Sequence, residues 1–211
     1  MRSNVITLLI SLLLTFPVHA DWYQEEAAIM GTAVSVELWS EKPAEGRALT
    51  QSVLDEMRRI DRLMSTWRAD SEISRVNAQA ASRPVTVSSE LLTLIERALA
   101  YSVMTDGAFD ITYASAGKHY DYRAGRKPDA TQLAEALPAI DYRHVSIDKQ
   151  NSTIRFLREG VRIDLGGIAK GYAVDRCIEL LAEAGITHAL VSAGGDTRVM
   201  GKRWQRPWQV G

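Results

Sequence analysis

A single cysteine, Cys177, stands in 211 residues. Its solitude excludes an internal disulfide and, by count, a structural zinc site of paired thiolates. Histidine is scarce too, and the four residues of that type are scattered along the chain. Neither sign of charge is in surplus: 25 Lys and Arg stand against 26 Asp and Glu, a formal net of −1. A nucleic-acid or anionic-membrane partner held mainly by charge is thereby excluded. Long hydrophobic runs are missing as well. The N-terminal stretch Val5–Phe16 covers 12 residues without a charge, too few for a hydrocarbon core about 30 Å thick, so no stable membrane span is expected. What remains, 46% hydrophobic and 24% charged, is the composition of an ordinary globular protein and not of a low-complexity or collagen-like chain.

The N-terminus carries an export pattern. Arg2 precedes the apolar run, and Val18-His19-Ala20 places small residues where a signal peptidase reads. Residues 1–20 are expected to be a signal peptide cleaved before Asp21; left uncleaved, the run would hold the protein at the inner membrane. Cys177 falls at helical spacing from Ala173 and Leu181, which predicts a buried small hydrophobe in place of a catalytic thiol.

Periodicity predicts mixed α and β structure. After the segment Trp22 to Ile29, Val34–Leu38 alternates as a half-buried strand. Pro43 and Gly46 punctuate the next stretch, and Val53, Met57, Ile60 and Met64 then mark an amphipathic helix. A second helix starts at Ser88 or Ser89, with Leu91, Leu94, Ile95, Ala98 and Leu99 as its buried stripe. Gly107 to Pro128 reads as loops and short turns, and Thr131 to Leu137 as a short helix. Three strands are expected at Val145–Asp148, Thr153–Leu157 and Val161–Leu165. A helix from Gly167 to Ala184 follows, with Gly185 at its C′ position. Ala189–Ser192 and Thr197–Met200 are further strands, and Trp208-Gln209-Val210 alternates like another. No repeat or linker divides the chain, so one α+β unit is expected.

The sharpest local feature is Ile163-Asp164-Leu165-Gly166-Gly167-Ile168-Ala169-Lys170-Gly171-Tyr172-Ala173. Glycines admit a ligand close to backbone, and a helix N-terminus presents unpaired N–H groups to an anion. Lys170 is followed by Gly171, so this is not a Walker A loop, and the G-x-G-x-x-G spacing is absent. Phosphate binding and tight helix–strand packing both account for it. Asp106-Gly107-Ala108-Phe109-Asp110-Ile111-Thr112 holds two carboxylates around a glycine, suited to a cation, a hydroxyl-bearing ring or a solvated turn. In Ser65-Thr66-Trp67-Arg68, followed by Ser71, Ile73, Ser74 and Asn77, Trp67 beside Arg68 offers a stacking wall for a planar ring. Ser192-Ala193-Gly194-Gly195-Asp196 supplies a second glycine pair.

The order of these motifs is more specific than any one of them. Met-Gly-Thr, S-T-W-x-x-x-S-x-I-S-x-x-N, D-G-x-F-D-I-T, I-D-L-G-G-I-A-K-G-Y-A-V-D and A-G-G-D, taken in sequence, resemble the ApbE family of FAD:protein FMN transferases from near Ile29 to Gly211. The resemblance implies a single α+β domain of T-fold type that binds FAD in a cleft with Mg2+ beside the pyrophosphate. It implies transfer of FMN to a Ser or Thr of an exported, periplasmic redox acceptor such as an Rnf- or Nqr-type subunit, with release of AMP. Hydrolysis of FAD to FMN and AMP is the alternative activity, and a non-catalytic FAD-binding protein or inactive fragment the third. By the same resemblance Met30, Trp67, Ala108, Phe109, Asp110, Asp164 and Lys170 contact FAD, and Gly167 offers Mg2+ a backbone carbonyl.

The chain also departs from the pattern. The family's H-I-I-D-P-like and D-A-x-A-T-A-like segments do not occur in it. The resemblance therefore places the catalytic His, with an Asp and a Thr that bind metal, beyond Gly211, and the chain reads as the N-terminal part of a domain cut short at its C-terminal end. Ser192 replaces the family's usual Asn, and Tyr120-Asp121-Tyr122 a Trp-containing segment.

Overall fold

The computed structural model describes residues 20–121 and 124–209. The expected signal peptide, Tyr122 and Val210 thus lie largely or wholly outside the described residues. In chain order the elements are β1 (Asp21–Ile29), β2 (Thr32–Ser40), α1 (Pro43–Met64), α2 (Glu72–Gln79), β3 (Val85–Thr86), α3 (Ser89–Met104), α4 (Ala114–Gly117) and α5 (Ala130–Ala136). Then come β4 (Val145–Asp148), β5 (Thr153–Phe156), α6 (Ala169–Glu183), β6 (Ala189–Ala193) and β7 (Asp196–Met200). Short 3-10 turns at Ile111–Tyr113, Leu137–Ala139 and Tyr142–His144 link them.

Two antiparallel sheets result, one ordered β1-β2-β6-β7 and one β3-β5-β4. Alternation does the expected work in the first. Val34, Val36 and Leu38 of β2 and Ala189, Val191 and Ala193 of β6 all point to one buried face. Helices α1 and α6 cover that face with Val53, Met57 and Ile60 and with Ala173, Val174 and Leu181. Cys177 lies between them, fully buried, its Sγ 3.6 Å from the Val53 carbonyl. Burial pushes its thiol up to about 12, so it is the packed small hydrophobe its spacing predicts. On the opposite face Trp22, Trp39, Trp204 and Trp208 form one aromatic cluster, with neighbouring ring centroids 5.4–6.0 Å apart.

Several elements differ from expectation. Trp22 to Ile29 belongs to a full strand, because β1 pairs along all of β2 and so is specified by its partner more than by its own alternation. Pro43 and Gly46 do not interrupt but lie inside α1: proline is tolerated at the helix's first position, and a Cβ at Gly46 would overlap the Tyr23 ring. Helix α2 falls within the motif that sequence periodicity left without a helix, started by Ser71 Oγ accepting the Ser74 N–H at 3.1 Å. Val161–Leu165 joins neither sheet, and Trp208-Gln209 is not a strand: the Trp208 indole donates to the Met200 carbonyl at 3.1 Å. Helix α6 begins at Ala169, two residues later than expected, and Gly185 follows its end at φ +84°.

One polar junction joins three helices. Arg59 of α1 donates to both Glu90 oxygens at 2.7 Å and to Glu56, while the Tyr172 hydroxyl of α6 donates to Glu90 Oε1 at 2.7 Å. The Arg59 hydrogen bonds hold the Glu90 carboxyl below its ordinary value against the opposing effect of burial, and Tyr172 adds to them. A lowered acid pKa means that the stabilisation is fully present above the ordinary carboxylate value and is lost as pH falls from that value through the lowered one. The melting temperature should therefore drop on acidification below about pH 4.5, the ordinary value for this group. Followed by circular dichroism, that drop should be shallower in Glu90→Gln; an identical profile would show that the junction contributes nothing to it.

Candidate functional site

The motifs converge on a cleft of about 480 Å3 between the β1–β2 turn, the end of α1 and the start of α6. A larger hollow of about 690 Å3 lies between α1 and α2, and another of about 480 Å3 on the outer face of the first sheet. Neither is lined by the 164–170 loop, so size alone does not select the site.

Met30 and Gly31 form the two-residue turn between β1 and β2, with φ +55° and +72°. Both values are left-handed, as a twisted two-residue hairpin requires, yet the first position is a methionine. An L-residue there costs about 1–2 kcal/mol, and Met30 lines the cleft. Behind the turn, a Cβ on Gly194 would sit 2.6 Å from Thr32 Oγ1. The A-G-G-D and M-G-T motifs therefore meet in space.

The second wall follows α1. Thr66, Trp67 and Arg68 form the turn between α1 and α2, and Trp67 is 92% exposed at the cleft. Arg68 reaches Asp70 at 2.9 Å through Nη2, while its Nε is buried without a partner.

The floor is the 163–167 loop. Asp164 accepts three hydrogen bonds: Oδ1 from the Gly166 N–H at 2.6 Å and the Tyr113 hydroxyl at 3.1 Å, and Oδ2 from the Thr66 hydroxyl at 2.7 Å. Lys170, in the first turn of α6, donates its Nζ to the Gly166 carbonyl at 2.8 Å. The N-cap position, Ile168, supplies no side-chain hydrogen bond; the Ala169 N–H is taken by the Leu165 carbonyl at 2.7 Å, so only the amides after it are left for an anion. A cation and a helix N-terminus thus share one rim of the cleft, the pairing that favours an anion.

Of the residues singled out in the sequence, Met30, Trp67, Asp164 and Lys170 line this one cleft. Phe109 and Gly167 adjoin it and touch each other: a Cβ at Gly167 would lie 3.1 Å from Phe109 Cε2. Ala108 is exposed beside them. Asp110 is turned elsewhere. Its Oδ1 accepts from the Thr112 N–H at 2.7 Å and hydroxyl at 2.6 Å, and its Oδ2 from the Tyr142 N–H at 2.9 Å. It caps the Ile111–Tyr113 turn and anchors Tyr142. Asp61 and Met64 also line the cleft; helical spacing showed Met64 only as part of the apolar stripe of α1. Thr66 lay within its motif, but nothing local could tell that it reaches Asp164.

Among the described residues no group of three or more His, Cys, Asp or Glu side chains could hold a metal ion. The exposed Gly167 carbonyl is one oxygen, and the Asp164 carboxylate is already engaged by three donors. These residues do not compose a Mg2+ shell by themselves.

Fold and cleft define an α+β protein whose ligand cleft is assembled from dispersed motifs around a glycine loop and a helix N-terminus. The ApbE family model matches residues 30–211, and the chain belongs to that family. It is 32% identical over 190 residues to an FAD:protein FMN transferase of Treponema pallidum, an alignment covering 86% of this chain and 52% of that protein. To one from Klebsiella pneumoniae it is 29% identical, covering 90% and 58%. The flavin transferase ApbE from Vibrio cholerae superimposes with a TM-score of 0.83 at 27% identity, over 91% of this chain and 63% of that one. For the ApbE protein of Thermotoga maritima the TM-score is 0.80 at 32% identity, over 88% and 61%. The chain spans about half the length of the curated relatives it matches.

Proposed function

We propose that this chain binds FAD in the Met30–Trp67–Lys170 cleft and serves transfer of its FMN half to a Ser or Thr hydroxyl of an exported redox acceptor. The observation that carries this reading is that Lys170, in the first turn of α6, lines the same cleft as Trp67. The cation and helix start suit a diphosphate, and the exposed indole suits a planar ring. In the reaction, the acceptor oxygen bonds to the FMN phosphorus and the bond from that phosphorus to the bridging oxygen breaks. AMP leaves with the bridging oxygen, and the hydroxyl proton passes to solvent. Lys170 and the helix amides offset charge on the diphosphate, which positioning and electrostatics can exploit without a covalent enzyme intermediate. No described side chain is assigned as the base.

Mg2+ beside the pyrophosphate, export through residues 1–20 and an Rnf- or Nqr-type acceptor belong to this reading through the family resemblance. A Mg2+ ion would supply charge neutralisation at the diphosphate, with the Gly167 carbonyl as the donor this chain offers. The shell is incomplete here, and no step is routed through it. Among the described residues no helix is long and apolar enough to cross a membrane.

Two experiments test the reading. With FAD, Mg2+ and an acceptor domain supplied, in-gel flavin fluorescence on the acceptor supports transfer. FMN and AMP released at the same rate without acceptor would establish hydrolysis, and tight FAD binding with neither product a storage role. Separately, Lys170→Ala should weaken FAD binding at least tenfold while the apo melting temperature moves little, since the lysine's one hydrogen bond is exposed. Unchanged affinity with a large loss of apo stability would instead assign Lys170 to packing.

A further inference from the structure

The 161–165 segment pairs with no strand among the described residues, so its backbone must find partners elsewhere. Side chains supply them. Asn77 of α2 donates its Nδ2–H to the Ile163 carbonyl at 2.9 Å and accepts the Ile163 N–H at 2.8 Å through Oδ1. One amide side chain thus imitates the two bonds that a neighbouring strand would make. Ser115 Oγ accepts the Arg162 N–H at 3.0 Å, and the Ile111 carbonyl accepts the Asp164 N–H at 3.0 Å. The next contact along the segment is the Thr66 hydroxyl on Asp164 Oδ2.

Thr66 and Asn77 bracket one stretch of chain whose centre is stiff. Ser71 caps α2, and Glu72 accepts from both the Ser88 N–H at 2.9 Å and the Ser88 hydroxyl at 2.6 Å, tying α2 to the start of α3. Ile73 and Val76 bury the helix in the core. Asn77 is therefore presented from a fixed helix, and it does not line the cleft.

We propose that Asn77 is a positioning residue for FAD, acting through the Ile163 backbone to set Asp164 and the Gly166–Gly167 loop, with Thr66 as the second point of the same brace. This inference rests on the FAD reading of the cleft. Asn77→Asp keeps the shape but removes the donor to the Ile163 carbonyl and places a carboxylate against it. Thr66→Val keeps the volume and removes only the hydroxyl; Thr66→Ser restores it.

The test is FAD affinity of the full chain by titration calorimetry, at a temperature where each variant is folded by circular dichroism. Asn77→Asp should raise Kd about tenfold, one misplaced contact's worth of roughly 1.4 kcal/mol. Thr66→Val should shift it the same way, and Thr66→Ser should return it to within about twofold of wild type, a rescue that a merely structural role would not produce. Wild-type affinity in folded Asn77→Asp and Thr66→Val overturns the inference. Should Asn77→Asp not fold, the Thr66 pair decides alone. Should the wild-type chain take up no FAD, the functional reading falls; amide exchange then judges the brace. Faster exchange at Asp164–Gly167 confined to that loop in Asn77→Asp supports it, and unaltered exchange overturns it.

Discussion

Asp164→Ala is expected to remove FAD binding and to lower the apo melting temperature together. The carboxylate collects the Gly166 amide, the Thr66 hydroxyl and the Tyr113 hydroxyl. Truncation leaves the part-buried Thr66 hydroxyl without its acceptor and opens the exposed Gly166 amide and Tyr113 hydroxyl to water. Hydrogen bonds to charged groups contribute about 1.5–3 kcal/mol each, less where water can replace the partner. Asp164 is half-buried, so a total loss on the order of 3 kcal/mol is reasonable, which corresponds to roughly 6–12 °C for a domain of this size. Asp164→Asn separates the two effects. Its oxygen can still accept from Gly166 and Tyr113, and the Thr66 hydroxyl can turn to accept from the new amide. The asparagine variant should therefore melt within about 3 °C of wild type while binding FAD differently, because its charge is gone. Thermal melts and flavin titrations on the pair check this. An alanine variant as stable as wild type would show that the three bonds do not hold the loop.

Gly194→Val carries the second large effect, this time from packing. Gly194 lies at φ +59°, and its missing Cβ would stand 2.6 Å from Thr32 Oγ1, 3.0 Å from Thr32 Cγ2 and 3.1 Å from Thr32 Cβ. Threonine is short and branched, so it has no flexible end to swing away. The Gly194 N–H also bonds the Ala33 carbonyl at 3.0 Å, which holds the turn in place. A β-branched residue with positive φ adds about 1–2 kcal/mol to the cost of the overlap. A total of about 3–4 kcal/mol is expected from overpacking and strain together. The effect should reach the cleft, since Thr32 adjoins the Met30-Gly31 turn. Chemical denaturation should show the lost stability, and flavin titration a reduced affinity in the fraction that remains folded. A valine variant with wild-type stability would mean the turn can shift at no cost.

Legibility in the sequence followed the range of the interactions. Helices α1, α3 and α6 were readable because their apolar stripes repeat within a few residues, as was β2 from its alternation. β1 was not, since its exposed Gln24, Glu25 and Glu26 hide a strand that its pairing with β2 specifies. The opposite error occurred at Val161–Leu165, whose alternation is genuine but whose partners are side chains of Asn77 and Ser115. Pro43 and Gly46 read as breaks, although one suits a helix start and the other a close approach to Tyr23. Met30, Trp67, Asp164 and Lys170 could be gathered only by the order of their motifs, as no local pattern links them. Asp110 has a structural use that the motif order does not show. Its carboxylate is spent on Thr112 and Tyr142, a use that spacing does not reveal.

The brace also bears on the order in which the molecule comes together. Asn77 and Ile163 are 86 residues apart in the chain, and Thr66 and Asp164 are 98 apart. Contacts of such separation meet the entropy of closing a long loop before they return any enthalpy. The hairpin β1–β2 and the helices draw mainly on near neighbours, whereas the floor of the cleft, apart from its local Asp164–Gly166 and Lys170–Gly166 bonds, is fixed by distant ones. Those distant contacts are therefore expected to form late in folding. A chain trapped short of that closure would carry most of its secondary structure and no place for a nucleotide.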